Sequence, residues 1–173
     1  MSRATVKANA LLQRFNIHMP PIDPEAIAIS LGISVDKLPF SQELSGVLVR
    51  SPERTAIGIN KNRPKKRQRF SIAHELGHYV LEHNGELFVD QTVLNKRDTK
   101  SQIAVDPQEI EANAFAANLL MPQHMMLDAL FETAGSNHNI TRSALIEQMA
   151  KKFNVSNAAM EYRLINLGFV PVA

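Results

Sequence analysis

Apolar residues at Ala4, Ala8, Leu11, Leu12 and Phe15 follow the spacing of one helical face and predict a helix over 4–15. Asp23 reads as an N-cap, Pro24 as a first helical position and Gly32 as a stop, so a second helix is expected between them. The segment from Ile33 to Pro39 is a short strand candidate, and a hairpin follows. Its arms are Val47–Val49 and Ala56–Ile59, with a turn near Ser51-Pro52. A basic loop leads into "RFSIAHELGHYVLEH", residues 69–83, long enough for four helical turns. From Asn84 to Asp106 the pattern is weak and polar, and an irregular excursion is expected. Asp106-Pro107 opens another helix, which Pro122 ends. Helical spacing returns near 122–132 and, after the polar break "TAGSNHN", twice more towards the C-terminus. Few strands early and many helices late predict an α+β architecture with a small antiparallel sheet.

Composition narrows the function classes. The chain has 173 residues, 45% hydrophobic and 21% charged, the mix of an ordinary globule. A net charge of +2 does not by itself imply a nucleic-acid partner. There is no cysteine, which excludes disulfides and thiolate metal sites, so any metal must be held by His and carboxylates. The first fifteen residues lack the apolar core of a signal peptide, and no apolar run reaches membrane-spanning length. A cytoplasmic location without membrane partners is the expectation.

The chemistry lies in residues 74–78. His74 and His78, four apart on a helix, have their β-carbons about 5–6 Å apart on one face. Both imidazoles can therefore reach one metal ion. Glu75 is rotated about 100° from His74 and is better placed to act as a general base on a water than as a ligand. Zinc suits the donors, because a catalytic zinc keeps three protein ligands and an open position. Gly77 costs about 1 kcal/mol in mid-helix relative to alanine, which anticipates a close backbone approach by another element. The third ligand is sought on the helix after Asp106, where Glu109 and Glu111 are candidates. Glu109 shares a stripe with Ala112, Asn113, Ala116 and Leu120, mostly small or apolar, which favours it. It also occupies the last position of a capping box, which would employ it locally. Asn113 is a candidate to accept a bond from the far nitrogen of a ligating histidine. His83, five residues past His78, points off the ligand face.

"RQRFSIAHELGHYVLEH" followed by "EIEANAFAANLLMP" resembles the ImmA/IrrE family of metallo-endopeptidases. The similarity extends to "IDPEAIAISLGISV", "SGVLVR", "IGIN" and "VSNAAMEYRLINLGF", nearly the whole chain. It implies a zincin-like fold of the gluzincin type over 1–125, with a helix-turn-helix-like region packed on it over 126–173. It implies His74, His78 and Glu109 as Zn2+ ligands and Glu75 as catalytic base. Members are bacterial, phage or mobile-element proteins that cut a helix-turn-helix repressor or antitoxin, in transcription regulation and stress response.

Other features have plainer readings. The basic run from Lys61 to Arg69 reads as a solvated loop and first helical turn. The C-terminal helices, the second capped by Ser156, have helix-turn-helix spacing and would offer Asn157, Glu161 and Arg163 to DNA. Without a dense basic face, packing or partner docking is the better expectation and direct DNA binding the weaker one. Met121, Met125, Met126, Met149 and Met160 read as core filler. Tyr79 could line the cleft. The function expected is a zinc endopeptidase of narrow specificity, its substrate extended along the hairpin edge. The rival is a non-catalytic zinc-containing regulator that binds a repressor or DNA.

Overall fold

The computed structural model describes residues 1–91, 106–136 and 140–172. The chain begins with α1 (Arg3–Arg14), whose buried face is Ala4, Ala8, Leu11 and Leu12, with Ser2 as its N-cap. α2 (Pro24–Ser30) starts at Asp23, whose carboxylate accepts from the Glu25 and Ala26 amides, and Gly32 follows in the left-handed region at φ 78°. Three strands follow, β1 (Ser34–Leu38), β2 (Leu44–Arg50) and β3 (Thr55–Asn60). Next come α3 (Lys65–Val80) and β4 (Leu87–Gln91). The remainder is helical: α4 (Pro107–Leu120), α5 (Gln123–Ser136), α6 (Arg142–Phe153) and α7 (Asn157–Asn166). The expected dividing line between residues 125 and 126 falls inside α5.

The architecture is α+β, with one correction to the sheet. Its order is β1-β3-β2-β4, and β1 runs parallel to β3, so the sheet is mixed rather than antiparallel. The β2–β3 hairpin pairs as expected, Val47 opposite Gly58. However, β3 is buried from Ala56 to Asn60, the near-continuous burial of a strand with neighbours on both sides. Strand β1 occupies its free edge, and the 39–43 connection steps over the β3 position to reach β2.

A second correction concerns the polar excursion. Its start is strand β4, antiparallel to β2, with Val47 opposite Val89. Its apolar run of three residues is too short to read as a period. Leu87 and Val89 are largely exposed while Phe88 packs on the core, as an edge strand with one wet face requires. Residues 92–105, the rest of that excursion, lie outside the described residues. Both edges of the hairpin are therefore occupied, and among the described residues the outer strands of the sheet are β1 and β4.

The core lies where α3 crosses the sheet and is closed by α1, α2 and α4. Gly77 is the close approach that its position anticipated. A β-carbon there would stand 3.1 Å from Phe115 Cδ1 and 3.2 Å from both Cα and O of Ala112. The same apolar core continues from the end of α4 into α5, α6 and α7, and the five methionines are buried in it. Arg163 is part of that packing. Only 8% exposed, it donates to Asn118 Oδ1 at 2.8 Å and to the Met121 carbonyl at 3.1 Å, and so it does not offer itself to DNA. Burial lowers its pKa from the usual guanidinium value. Glu161 is held by Arg142 at 2.9 Å. Among the described residues no helix is long and apolar enough to cross a membrane.

Candidate metal centre

Helix α3 is buried on every side from Ser71 to Gly77, then His78, because sheet and helices cover it all round. Its N-terminal turn carries Lys65, Lys66 and Arg67 after Pro64, with no capping side chain, which opposes the helix dipole. Its C-terminal turn is held by two arginines from other elements. Arg50 of β2 donates to the carbonyls of His78 and His83, at 2.5 and 2.7 Å, and Arg3 of α1 donates to that of Leu81 at 2.5 Å. These cations satisfy carbonyls that the helix end leaves open.

Within this helix His74 and His78 turn their Nε2 atoms towards each other, 3.1 Å apart. Glu109 reaches over from the first turn of α4. Its Oε2 is 3.2 Å from His74 Nε2 and its Oε1 3.1 Å from His78 Nε2. Among the described residues these three side chains form the one His/Asp/Glu group placed to hold a metal ion. One donor atom from each lies within 4.8 Å of the others, so the three converge on one point, and imidazole and carboxylate are donors that zinc accepts. Glu109 thus serves the histidines rather than a capping box; the Asp106 carboxylate, which accepts from the Gln108 amide, provides the helix cap. Bonding to His74 and then to His78 holds the Glu109 carboxyl far below the usual carboxylate range. Burial is the first cause that lowers the His78 pKa, favouring the neutral form that a ligand must have.

The other nitrogens of both rings are engaged. Asn113 Oδ1, one turn after Glu109, lies 3.1 Å from His74 Nδ1, the contact that its sequence position suggested. The Nδ1 of His78 lies 3.0 Å from Nδ1 of His83. His83 is only 4% exposed, and its Nε2 lies 3.1 Å from Glu111 Oε2, which also receives Arg3 at 3.4 Å. Residues Glu111 and His83 therefore belong together, behind His78. His83 does leave the candidate-ligand face, as expected, but returns to the far side of His78 because Glu82 takes a left-handed conformation, φ 55°.

Glu75 is fully buried, and neither carboxylate oxygen has a hydrogen-bond partner among the described residues. Burial raises its pKa well above the usual value, and the charges of Asp90 and Glu109 add to this. Gly46 of β2 lies against it: a β-carbon there would stand 3.0 Å from Glu75 Oε1. Asp90 comes from β4, where Ser71 Oγ donates to it at 3.1 Å and Arg67 pairs with it at 3.3 Å. Nothing in the sequence pattern singled out Asp90, because the strand that brings it was itself unread.

Tyr79 departs from expectation. It lines a separate pocket with Lys7, Leu11, Arg14 and Arg50, which none of the three candidate ligands borders. One residue past His78, it is turned about 100° away towards α1. Two further cavities lie between α3, α4 and α7; Asn113 borders the first, and none of the three candidate ligands borders either. A cavity of about 490 Å³ is lined by Phe70, Ile110, Asn113, Ala117 and Tyr162, among others. A second, of about 570 Å³, shares Phe70 and Tyr162 and continues to the exposed Lys65 and Lys66.

Comparison with known proteins gives the family. Residues 28–165 match the IrrE N-terminal-like domain family of peptidases. The chain is 32% identical to metallopeptidase ImmA of Bacillus subtilis over 119 residues, 69% of this chain and 60% of that protein. It is 34% identical to the radiation response metalloprotease IrrE of Deinococcus radiodurans over 121 residues, 70% of this chain and 34% of that protein. With the Deinococcus deserti protein of the same name, identity is 28% over 173 residues, 99% of this chain and 57% of that one. The chain thus spans between a third and three-fifths of the length of these relatives.

Proposed function

We propose, from the premise that this chain belongs to the IrrE N-terminal-like family of metallopeptidases, that it is a zinc-dependent endopeptidase of narrow specificity. The observation that carries the reading is Glu75, a buried carboxylate with no partner among the described residues, beside three donors fit for one cation. An unpaired buried carboxylate is costly, and a reacting water and substrate are the reason to keep one. His74, His78 and Glu109 would hold the zinc, on a zincin-like core of the gluzincin type over 1–125. When bound, zinc supplies a Lewis acid for the scissile carbonyl and lowers the pKa of water to about 7.

Glu75 accepts a proton as water adds to the carbonyl carbon, then passes it to the amide nitrogen as the C–N bond breaks. Asn113 holds the His74 ring in the tautomer that leaves Nε2 free. The helix-turn-helix-like region over 126–173, whose Tyr162 lines a cavity that Asn113 also borders, restricts what is cut. The substrate is a helix-turn-helix repressor or antitoxin in the cytoplasm, whose cleavage relieves repression. Family resemblance supports this choice.

The rival, a regulator that keeps zinc without turnover, gives Glu75 no work. A digestion series separates the two, with wild type and Glu75→Gln against casein and against the helix-turn-helix protein encoded next to the gene. The expected result is Glu75-dependent cutting of the regulator and almost none of casein. Efficient casein digestion would refute narrow specificity. An intact regulator in the presence of the zinc-loaded protein, bound but uncut, would favour the rival.

A further inference from the structure

Beyond the three candidate ligands, a line of buried polar contacts runs from His78 to the surface, and the peptidase reading gives it no part. His78 Nδ1 is 3.0 Å from His83 Nδ1, and His83 Nε2 is 3.1 Å from Glu111 Oε2. The two histidines are 0% and 4% exposed, so water does not compete for these nitrogens. An imidazole that binds metal through Nε2 must keep its second proton on Nδ1. Two nitrogens 3.0 Å apart share one proton, so His83 Nδ1 can only accept it. The proton of His83 then sits on Nε2, which donates to Glu111, an acceptor. Each contact admits one arrangement, and that arrangement leaves His78 Nε2 unprotonated and facing His74 and Glu109.

We infer that His83 and Glu111 are positioning residues of the metal site, which fix the tautomer and orientation of His78 from behind. The inference rests on the reading of His74, His78 and Glu109 as ligands. The rest of the fold supports the relay. Arg50 holds the carbonyls of both His78 and His83, so the backbone spacing between the two rings is set from β2. Phe88 of β4 lies against the His78 ring with centroids 4.3 Å apart, which limits its rotation. Arg3 of α1 steadies Glu111. His74 has a simpler device in Asn113, an exposed amide, whereas the more buried His78 has a chain of two residues.

The test uses the full chain and zinc alone, with affinity read by competition against a chromogenic chelator. Wild type and His74→Ala establish first whether these histidines hold zinc; equal affinity in both sinks the ligand reading and the relay with it. His83→Phe keeps a flat ring but has no acceptor, and His83→Gln keeps an acceptor and a donor. Zinc affinity should fall about 10- to 100-fold in His83→Phe and recover largely in His83→Gln, with equal melting temperatures. If both variants hold zinc as wild type does, or lose it equally, the relay is wrong although the ligand set stands. Independently of any variant, 15N-resolved NMR of the zinc-loaded wild type should show His78 protonated on Nδ1 and His83 on Nε2. A His83 proton on Nδ1 would overturn the inference.

Discussion

Gly46 stands against Glu75 so closely that one added carbon would lie 3.0 Å from the carboxylate oxygen. Strand β2 thereby forms the wall behind the candidate base. In Gly46→Ala the carboxylate must give way by a few tenths of an ångström, because the backbone of a central strand does not. Turnover on the partner protein should fall on the order of ten- to a hundredfold. Zinc stoichiometry should stay unchanged. Parallel measurement of cleavage rate and metal content checks this, and an unaltered rate would show that Glu75 has room to spare.

Glu109 and Glu111, two residues apart, should separate clearly. Glu109→Gln weakens the charge that meets both histidines, and zinc retention should drop by more than about 100-fold. Glu111→Gln acts only through His83, and the drop should be about tenfold. Dialysis against graded chelator, followed by metal analysis, ranks the two. The reverse order would move the third ligand to Glu111.

Gly77→Ala is expected to destabilise the fold although alanine is the better helix former. The intrinsic gain is about 1 kcal/mol. Against it, the new methyl meets Cα and O of Ala112 at 3.2 Å, and a backbone cannot rotate away as a side chain can. Crowding of this kind costs about 1–3 kcal/mol, so the net loss should be about 1 kcal/mol. The urea midpoint measures it. A rise in midpoint would mean that α3 and α4 separate freely.

Arg163→Leu should cost about 2 kcal/mol or more in unfolding free energy, since Asn118 Oδ1 and the Met121 carbonyl would lose their donor in a buried setting. Arg163→Lys keeps the charge but not the two-pronged geometry, and should fall between. Equilibrium denaturation of both variants decides. If neither differs from wild type, Arg163 is not what holds α7 on α4.

Much of this was legible in the sequence because it was local. Capping residues Asp23, Asp106 and Ser156 sit where the helices begin, and the i, i+4 pair of histidines converges because a helix makes it converge. Gly77 announced a helix crossing through its own unfavourable propensity. What stayed hidden was long-range. The parallel partner of β3 depends on which neighbour fills its edge, and β4 is an edge strand whose apolar run is too short to count. Asp90 went unread along with that strand. A straight helix would carry His83 away from the candidate site, but the left-handed Glu82 ends the helix and swings the ring back.

The placement of Glu109 has one more consequence. Both histidines belong to a single helix, whereas the carboxylate lies 31 residues further along the chain than His78. An ion gripped by all three is therefore a removable staple between two helices, closing a loop that the unfolded chain leaves open. It stabilises only the molecule in which α4 is already docked on α3, by RT ln(1 + [L]/Kd). The candidate metal centre and the tertiary contact at Gly77 then stand or fall together. On the proposed reading, a chain that has not docked its fourth helix lacks Glu109 at the two histidines, so an incompletely folded molecule cannot assemble the candidate centre.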